Sequence, residues 1–204
     1  MKSLDASRLE PLLGGPTFAL GDRLRRFAWS VCWGLLAAWT PRPFHRWRRL
    51  VLVAFGARID PTARVYGQTA IWWPPHLTVG RHAVIAPRAT CYNVAPITIG
   101  DFAMVSQGAH LCTGTHDVDD ARFPLRARPI IVNPQAWVAA EAFVGPGVTV
   151  GEGAVLGARG VAFRDLDAWT IHAGNPARLI RARTRFPPPQ ECSGGGLARS
   201  RPGS

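Results

Sequence analysis

An aliphatic or similarly small apolar residue recurs every six positions over most of the chain, and this period constrains the fold more than any other feature. The series runs from Ile59 to Ala162, with two shifts of two residues and one long interruption. Its members are Ile59, Val65, Ile71, Leu77, Val79, Ile85, Cys91, Ile97, Ile99, Val105, Leu111, Val132, Val138, Val144, Val150, Leu156 and Ala162. A period of six is neither that of a helix nor that of a strand, so it indicates an internal structural repeat.

Small residues accompany this period at fixed places. Glycine often follows the aliphatic residue directly, and it adopts backbone angles that other residues adopt only at a cost. Alanine stands four positions after the aliphatic residue at Ala63, Ala83, Ala89, Ala95, Ala103, Ala109, Ala136, Ala142 and Ala154. We interpret each hexad as one short, flat face and three hexads as one turn of a triangular solenoid. The aliphatic side chain then points into a narrow interior, and each coil covers the edge of the next.

The segment before the repeats, residues 1–55, is rich in tryptophan and arginine. Its apolar run from Phe27 to Thr40 has 14 residues, fewer than the roughly 20 that span a bilayer, and Pro41 and Pro43 end it. Two helices fit, over residues 23–39 and 44–54. They suit either a helical cap on the solenoid or a helix that lies in a membrane interface, and the two interpretations are compatible.

Charge and cysteine usage bear on partners and compartment. The 204 residues carry a net charge of +11, nearly all of it from arginine, which favours an anionic partner unless it only reflects genome composition. The four cysteines form no CxxC pair, and the N-terminus lacks the pattern of a secretory signal. We therefore predict a cytoplasmic protein with reduced thiols. The basic residues are scattered and match no nucleic-acid motif, so no nucleic-acid partner is predicted.

The repeat is interrupted from Asp117 to Pro129, and His116 is the last residue before the interruption. The stretch is polar and predicts a loop that leaves the solenoid, and loops of this length are more often functional than accidental. A histidine that a rigid coil holds at the root of such a loop is well placed to act as a general base. The position also fits a surface histidine that has no functional role.

Three stretches carry a resemblance to a known family: CYNVAPITIGDFAMVSQGAHLCTGTHD from Cys91, PIIVNPQAWVAAEAFVGPGVTVGEGAVLGARGV from Pro129, and AGNPARLIRAR from Ala173. In these the chain resembles the hexapeptide-repeat maltose, galactoside and nodulation-factor O-acetyltransferases, and most of all the acetyltransferases of colanic acid and other exopolysaccharide biosynthesis. In that branch a tryptophan-rich segment precedes the repeats, as WRRLVLVAFGA does here from Trp47. The resemblance covers nearly the whole chain except the tail. It implies an all-β fold, a left-handed parallel β-helix with a short helical N-terminal segment.

The resemblance also implies site residues. His116 matches the family's catalytic histidine, Asn93 an asparagine that lines the acceptor site, and Trp137 a tryptophan that packs beside the histidine and the thioester. The implied contacts of acetyl-coenzyme A include backbone groups, a closing motif and basic residues near the nucleotide phosphates: Ala140, Ala158, Gly174, Asn175, Pro176, Ala177, Arg178, Arg181 and Arg183. No metal is implied. Asp117 stands where the sugar acetyltransferases often have proline, although the exopolysaccharide branch commonly has aspartate there.

The implied reaction is transfer of an acetyl group from acetyl-coenzyme A to a sugar hydroxyl in the synthesis of an exopolysaccharide or surface glycan. His116 would take the hydroxyl proton and the Ala140 N–H would stabilise the oxyanion, without an acyl-enzyme. Cys91 and Cys112 are expected to point inward as small hydrophobic residues. The family assembles as homotrimers with the site between neighbours, so a homotrimer is implied. The N-terminal segment would hold it near the inner face of the membrane.

Three other interpretations share the fold. A zinc enzyme of the gamma carbonic anhydrase type needs three converging histidines, which the spacing of His82, His110 and His116 does not supply. An acetyltransferase for a xenobiotic or another small molecule fits the fold and the histidine. A non-catalytic scaffold fits the repeat alone, because a fold does not define a function.

The expected boundaries follow the changes in sequence pattern. We place the β-helix domain at residues 56–176 with its loop at 117–129, a basic segment at 177–185, and a disordered tail rich in proline, glycine and serine at 186–204. Asp165 and Asp167 are expected to form a turn, and His172 is expected to lie on the surface.

Overall fold

The computed structural model describes residues 20–186. Within that range two helices precede short strands that wind into a parallel β-solenoid of about six turns, which confirms the predicted left-handed β-helix. The first 19 residues, Cys192 and all of the predicted disordered tail beyond Phe186 lie outside the described residues. No helix between residues 20 and 186 has the length and hydropathy needed to cross a bilayer.

The helices are α1, Leu20–Leu36, and α2, His45–Ala54. The strands are, in chain order, β1 Arg58–Ile59, β2 Arg64–Val65, β3 Ala70–Ile71, β4 Leu77–Val79, β5 Val84–Ile85, β6 Thr90–Tyr92, β7 Ile97–Ile99, β8 Met104–Val105, β9 His110–Cys112, β10 Gly114–His116, β11 Leu125–Ala127, β12 Ile130–Val132, β13 Trp137–Val138, β14 Phe143–Val144, β15 Thr149–Val150, β16 Val155–Leu156, β17 Val161–Ala162, β18 Thr170–Ala173 and β19 Arg178–Ala182.

Three sheets form the sides of the solenoid, and the chain visits them in rotation. The first sheet has the order β1-β4-β7-β12-β15, the second β2-β5-β8-β13-β16 followed by β18 and β19, and the third β3-β6-β9-β14-β17. The strands of successive coils pair in parallel, for example Trp137 with Val155 and Phe143 with Val161. Residues in equivalent places on successive coils therefore form columns along the solenoid, about 4.8 Å apart.

The aliphatic residue of each hexad fills the interior, as the period predicts. Ile85, Leu111 and Leu156 are fully buried, and so are the alanines four positions later at Ala89 and elsewhere. Ala95 is an exception among these alanines, because it remains partly exposed. Burial of one large aliphatic side chain stabilises a fold by about 1.5–3 kcal/mol, so a column of them in every sheet is sufficient reason for the strict period.

The two-residue shifts in the period lie inside strands rather than between hexads. β4 buries both Leu77 and Val79, and β7 likewise buries both Ile97 and Ile99, because residues two apart share one face of a strand. Each shift adds two residues to its coil. Leu77 therefore pairs with Ile97, 20 positions later, whereas Trp137 pairs with Val155 after 18.

Both helices pack on the N-terminal coils. Trp29 and Trp33 of α1 are buried, and their indole N–H groups donate to the carbonyls of Ile71 at 2.7 Å and Thr69 at 3.1 Å. Since a buried indole N–H needs an acceptor, these bonds fix the helix against the edge of the third sheet. The inward face of the segment is therefore a cap on the solenoid.

α1 ends three residues earlier than predicted, whereas α2 agrees with the prediction within one residue. The early end of α1 has a local cause. Trp39 donates its indole N–H to the Leu35 carbonyl at 2.7 Å, and Trp47 donates to the Leu36 carbonyl at 2.6 Å. Terminal helix carbonyls need partners, and here two side chains supply them in place of further helical N–H groups.

Arg48 of α2 joins the cap to the first coil, and it is fully buried. Its guanidinium donates to the carbonyls of Val65 at 2.7 Å, Pro41 at 2.8 Å and Arg42 at 2.7 Å, and to the Thr40 hydroxyl at 2.9 Å. A buried charge is tolerated only when it is hydrogen-bonded, and these acceptors meet that condition.

Candidate active site

The interruption of the repeat folds back as a β-hairpin, and this hairpin holds His116. β10 pairs with β11 in antiparallel fashion, with Gly114 opposite Ala127 and His116 opposite Leu125. The hairpin leaves the solenoid at the corner between the third and first sheets, since it lies between β9 and β12. Part of the predicted loop is therefore a strand, and the histidine stands on a hydrogen-bonded ladder.

The His116 ring is held by Phe123 in two ways. Its Nδ1 lies 3.0 Å from the Phe123 carbonyl oxygen, and the two rings stack with centroids 4.4 Å apart and planes 8° from parallel. A carbonyl only accepts hydrogen bonds, so Nδ1 carries the proton in this contact. Neutral His116 then has its lone pair on Nε2, which is the atom that can accept a proton from a substrate.

Asp117 closes the base of the hairpin. Its N–H donates to the Pro124 carbonyl at 3.0 Å, and its carboxylate pairs with Arg126 at 3.1 Å. A proline at this position, as in many of the sugar acetyltransferases that the chain resembles, has no N–H to donate. The aspartate is therefore integrated into this particular hairpin.

Asn93 lies at the same corner as His116, one coil below the root of the hairpin. It is fully buried, and its amide accepts from the Trp73 N–H at 2.9 Å and donates to the Trp73 carbonyl at 2.7 Å. Thr113 stands directly above it, because Tyr92 pairs with Cys112. The amide of Asn93 thus clamps the backbone of the coil beneath.

A groove of about 470 Å³ runs between α1 and the third sheet. Its lining is mostly apolar, and it includes Arg26 from α1 with Trp72 and Tyr92 from the sheet. The Arg26 guanidinium lies 4.5 Å from the centre of the Trp72 ring. A side chain at Gly114 would meet the Tyr92 ring at 2.9 Å, so glycine allows the hairpin to pass close to the groove.

The residues predicted to contact the coenzyme form one column at a different corner, between the second and third sheets. Ala140 and Ala158 occupy equivalent places because Trp137 pairs with Val155, and Gly174 continues the column because Val155 pairs with Ile171. The Ala140 carbonyl accepts from the Arg159 N–H at 2.9 Å, whereas the Ala140 N–H has no intrachain acceptor within residues 20–186.

The closing motif forms the turn of an antiparallel hairpin at the end of the solenoid. Gly174 has a φ of 95°, the left-handed conformation that glycine adopts without strain, and β19 pairs with β18. Arg178 and Arg181 lie on exposed β19. Arg183 is more constrained, because its guanidinium donates to the carbonyls of Gly153 at 2.8 Å and Gln135 at 3.2 Å.

Trp137 lies on the outer face of the second sheet, and its indole N–H donates to the Ser106 hydroxyl at 2.8 Å. It stands three residues before Ala140, near the coenzyme column and not at the corner that holds His116. One chain therefore gathers the predicted residues into two groups. Asn93 belongs with His116, whereas Trp137 belongs with the column.

The thiols favour the prediction that no cysteine is the nucleophile, although one placement was wrong. Cys91 is fully buried, and burial raises the pKa of its thiol to about 12. Cys112 does not point inward as expected, because it follows the inward Leu111 and faces out of the third sheet, half-buried. Burial also raises the pKa of the Cys112 thiol, whose Sγ donates to the Gly114 carbonyl at 3.3 Å. A high pKa keeps a thiol in its less nucleophilic form.

His172 is buried, so the prediction of a surface position was wrong. Its Nε2 lies 2.9 Å from the Thr170 hydroxyl, within β18. Asp165 is not in a turn, and its carboxylate instead accepts from the Thr149 N–H of the coil below at 2.7 Å. Asp167 directly precedes a turn at residues 168–169. Over residues 20–186, no three His, Cys, Asp or Glu side chains converge in a group that could hold a metal ion.

Phe123 and Ser106 are the contributors that sequence reasoning did not identify. Phe123 orients His116, and Ser106 orients Trp137. The only signal for Phe123 is its place inside the interruption, before Pro124. Nothing in the hexad pattern distinguishes Ser106, because it lies next to the inward Val105 like many other polar residues.

The comparisons with known proteins decide the family. No protein-family model matches the chain. The acetyltransferase WcaF of Escherichia coli K12, which is assigned to colanic acid biosynthesis, is 37% identical over 166 residues, covering 81% of this chain and 91% of WcaF. The chain belongs to the hexapeptide-repeat acetyltransferase family. This confirms the family, and the branch, that the sequence motifs predict.

Solved structures place this hexapeptide-repeat acetyltransferase in the same fold. A maltose O-acetyltransferase from Clostridium difficile 630 superposes with a TM-score of 0.72 at 21% identity, over 82% of this chain and 90% of its own. A hexapeptide-repeat acetyltransferase from Vibrio cholerae O1 biovar eltor, solved with acetyl coenzyme A, also has a TM-score of 0.72. It is 20% identical and is covered over 91% of its length, against 82% of this chain.

Proposed function

We propose that this hexapeptide-repeat acetyltransferase moves the acetyl group of acetyl-coenzyme A to a sugar hydroxyl, with His116 as the general base. The observation that carries the proposal is the contact between His116 Nδ1 and the Phe123 carbonyl, which leaves Nε2 to accept a proton. The relative from Vibrio cholerae was solved with acetyl coenzyme A, which supports the donor. The assignment of WcaF to colanic acid biosynthesis supports a sugar acceptor.

The reaction is a direct transfer. His116 Nε2 takes the proton of the acceptor hydroxyl as its oxygen attacks the thioester carbonyl, and the carbonyl oxygen becomes an oxyanion that the Ala140 N–H stabilises. The tetrahedral intermediate then expels the coenzyme thiolate, which recovers the proton from His116. Acetate ester and free coenzyme A are the products, and no group on the protein is acylated.

The coenzyme lies along the column of Ala140, Ala158 and Gly174, with its nucleotide phosphates near Arg178 and Arg181. These two arginines are exposed on β19, and guanidinium groups pair strongly with phosphate. Asn175 and Pro176 form the turn beside them. Arg183 contributes less than these two, because its guanidinium is already bonded to two carbonyls.

The enzyme works as a homotrimer. His116 and the coenzyme column stand at different corners of one solenoid, so a neighbour must bring its column to the histidine. Cyclic assemblies build sites of this kind from two unlike surfaces of the same chain. Trp137, on the outer face of the second sheet, then packs beside the thioester at the border between subunits.

The acceptor is a glycan of exopolysaccharide or surface-glycan biosynthesis in the cytoplasm. Its reacting sugar meets His116, and its neighbouring sugar occupies the groove that contains Trp72 and Tyr92, since aromatic faces suit the apolar faces of sugars. Asn93 acts on the acceptor through Trp73, whose backbone it clamps. Such glycans are built on lipid carriers, so the N-terminal segment holds the enzyme at the inner face of the membrane.

The test compares wild type with His116→Ala on a panel of sugars and lipid-linked glycans, and follows the release of coenzyme A. We expect turnover to fall by about 10²–10⁴-fold, the usual contribution of a general base, while acetyl-coenzyme A binding is kept. Equal turnover by both proteins would exclude His116 as the base. Turnover by wild type on non-sugar alcohols only would exclude the sugar acceptor.

A further inference from the structure

α1 has a second apolar face, which points away from the solenoid. Leu20, Leu24, Phe27, Val31 and Leu35 follow one another at spacings of three and four residues, which places them in one stripe along the helix. Leu24 is 59% exposed, and Phe27 and Leu35 are each 69% exposed. The buried Trp29 and Trp33 lie on the opposite side of the helix, so α1 is apolar on both its inward and its outward face.

Two tryptophans extend this outer stripe at its C-terminal end. Trp39 is 73% exposed and Trp47 is partly exposed, yet both indole N–H groups are already bonded to the carbonyls of Leu35 and Leu36. The rings are thus fixed in orientation, and what they leave open to their surroundings is mostly carbon. Fixed indoles at the end of an apolar helix face are typical of the boundary between lipid headgroups and acyl chains.

Positive charge surrounds the stripe. From residue 20 to residue 56 the sequence has seven arginines and one acidic residue, Asp22. Arg23, Arg25, Arg42 and Arg46 are exposed. A second copy of the chain on this face would bring arginines against arginines, which disfavours self-association. A surface with anionic headgroups and an apolar interior would pair with the arginines and cover the exposed apolar side chains.

We propose that the outer stripe of α1, together with Trp39 and Trp47, lies in the headgroup region of an anionic phospholipid bilayer, with the helix parallel to the membrane plane. The neighbouring arginines contact the lipid phosphates. This identifies the protein surface and the lipid chemistry that place the enzyme at the membrane. The biological reason for that location, access to a lipid-linked acceptor, rests on the proposed function. The groove of Arg26 and Trp72 runs along the same helix, so a lipid-linked acceptor would reach it from the bilayer.

Flotation of the full chain with vesicles tests the stripe. Wild type is mixed with vesicles of phosphatidylcholine alone and of phosphatidylcholine with phosphatidylglycerol, and we expect it to float with the second kind. Leu24→Asn should lower the partition coefficient about tenfold, and Leu24→Asn with Leu35→Asn should abolish flotation. Leu179→Asn is the matched control, because Leu179 is 58% exposed but lies at the other end of the solenoid, and it should float like wild type.

The arginines are tested by Arg42→Gln combined with Arg46→Gln. We expect this variant to bind the anionic vesicles about 10-fold or more weakly at low salt, and the difference should shrink at high salt because exposed charges are screened. Thermal unfolding of each variant verifies that it is folded. The proposal is overturned if wild type floats with neither kind of vesicle, or if Leu24→Asn binds as wild type does. It is also overturned if Leu24→Asn changes the oligomeric mass while flotation is kept, since the stripe would then contact another copy.

Turnover of a water-soluble acceptor separates this inference from the proposed function. Leu24 contacts neither His116 nor the coenzyme column, so Leu24→Asn should keep wild-type turnover while its binding to vesicles is lost. Flotation as expected without acetyl transfer by any form would contradict the proposed function and leave the lipid surface standing. Acetyl transfer without flotation would contradict the lipid surface alone.

Discussion

At the scale of single residues, the orientation of His116 depends on a neighbouring residue that no sequence pattern identifies. Phe123 supplies both the carbonyl that fixes the proton on His116 Nδ1 and the ring that stacks on it. We expect Phe123→Ala to lower kcat by about 10–100-fold, because loss of the stack lets the ring leave its productive orientation. The KM for acetyl-coenzyme A should not change, since Phe123 orients the base whereas the neighbouring subunit's column holds the coenzyme. Steady-state kinetics would check this, with Phe123→Tyr, which keeps the stack, as the control. A rise in KM with kcat preserved would contradict a positioning role.

The cysteines provide a second prediction at this scale. Cys112 is the thiol next to the hairpin of His116, and burial raises its pKa, so it is a poor nucleophile. We expect Cys112→Ala to keep turnover within about twofold of wild type and to show no acetyl adduct by intact-protein mass spectrometry during turnover. A loss comparable to that of His116→Ala, or an acetylated thiol in wild type, would replace direct transfer by an acyl-enzyme mechanism.

His110 gives a prediction about pH and stability. Burial lowers the pKa of His110 below its ordinary value of 6.5, and its Nε2 is buried without a partner within the described chain. His110 therefore takes up a proton near pH 6.5 in the unfolded chain but only at a lower pH in the folded chain. The free energy of unfolding should fall as the pH drops through 6.5 and level off below the folded-state pKa. Urea unfolding at several pH values should show a smaller decline for His110→Phe. An identical decline would assign the effect to other groups, such as His45, whose pKa burial also lowers.

At the scale of elements, the strands were more predictable than the helices and the hairpin. The narrow interior is filled by the aliphatic residue of each hexad, so the position of a strand follows from that residue, as at Val105 and Val138. The end of α1 is different, because Trp47, from another helix, takes the place of the next turn. β11 was missed for a similar reason: it exists through pairing with β10, and its own residues carry no alternating pattern.

Arg48 connects these elements, and it gives a prediction for the cap. Arg48→Met would keep the length of the side chain but leave several carbonyls of the cap and the first coil without donors. We expect the free energy of unfolding to fall by about 3 kcal/mol, given the cost of each unsatisfied group. Chemical denaturation followed by tryptophan fluorescence would measure it. Arg46→Met on the exposed side of α2 is the control and should change stability by less than about 0.5 kcal/mol. Equal effects of the two substitutions would mean that the buried bonds add nothing.

At the scale of the whole molecule, the separation of the site into two corners was not contained in the period. The hexads look alike on all three sides, so the sequence alone does not say which corner carries which residue. Asn93 and His116 come to one corner only because coils of 20 residues precede the hairpin. Trp137 and Ala140 come to another corner because the hairpin adds residues between β9 and β12 without adding a side to the solenoid. The number of residues between motifs thus has a spatial meaning that appears only when the coils are stacked.

The same separation makes the trimer testable by complementation. His116→Ala keeps the coenzyme column, whereas Ala158→Glu places a negative charge on that column at an exposed position and keeps the histidine. Each variant alone should be inactive. In a mixed trimer, only one of the three sites combines the histidine of one variant with the column of the other in the working order, so about a third of wild-type turnover should return. Turnover should be measured on mixed trimers isolated with two affinity tags, against the two variants mixed after separate purification as the control. If mixed trimers stay as inactive as the parents, both halves of the site belong to one chain, and the hairpin would have to carry His116 across the third sheet to meet Ala140.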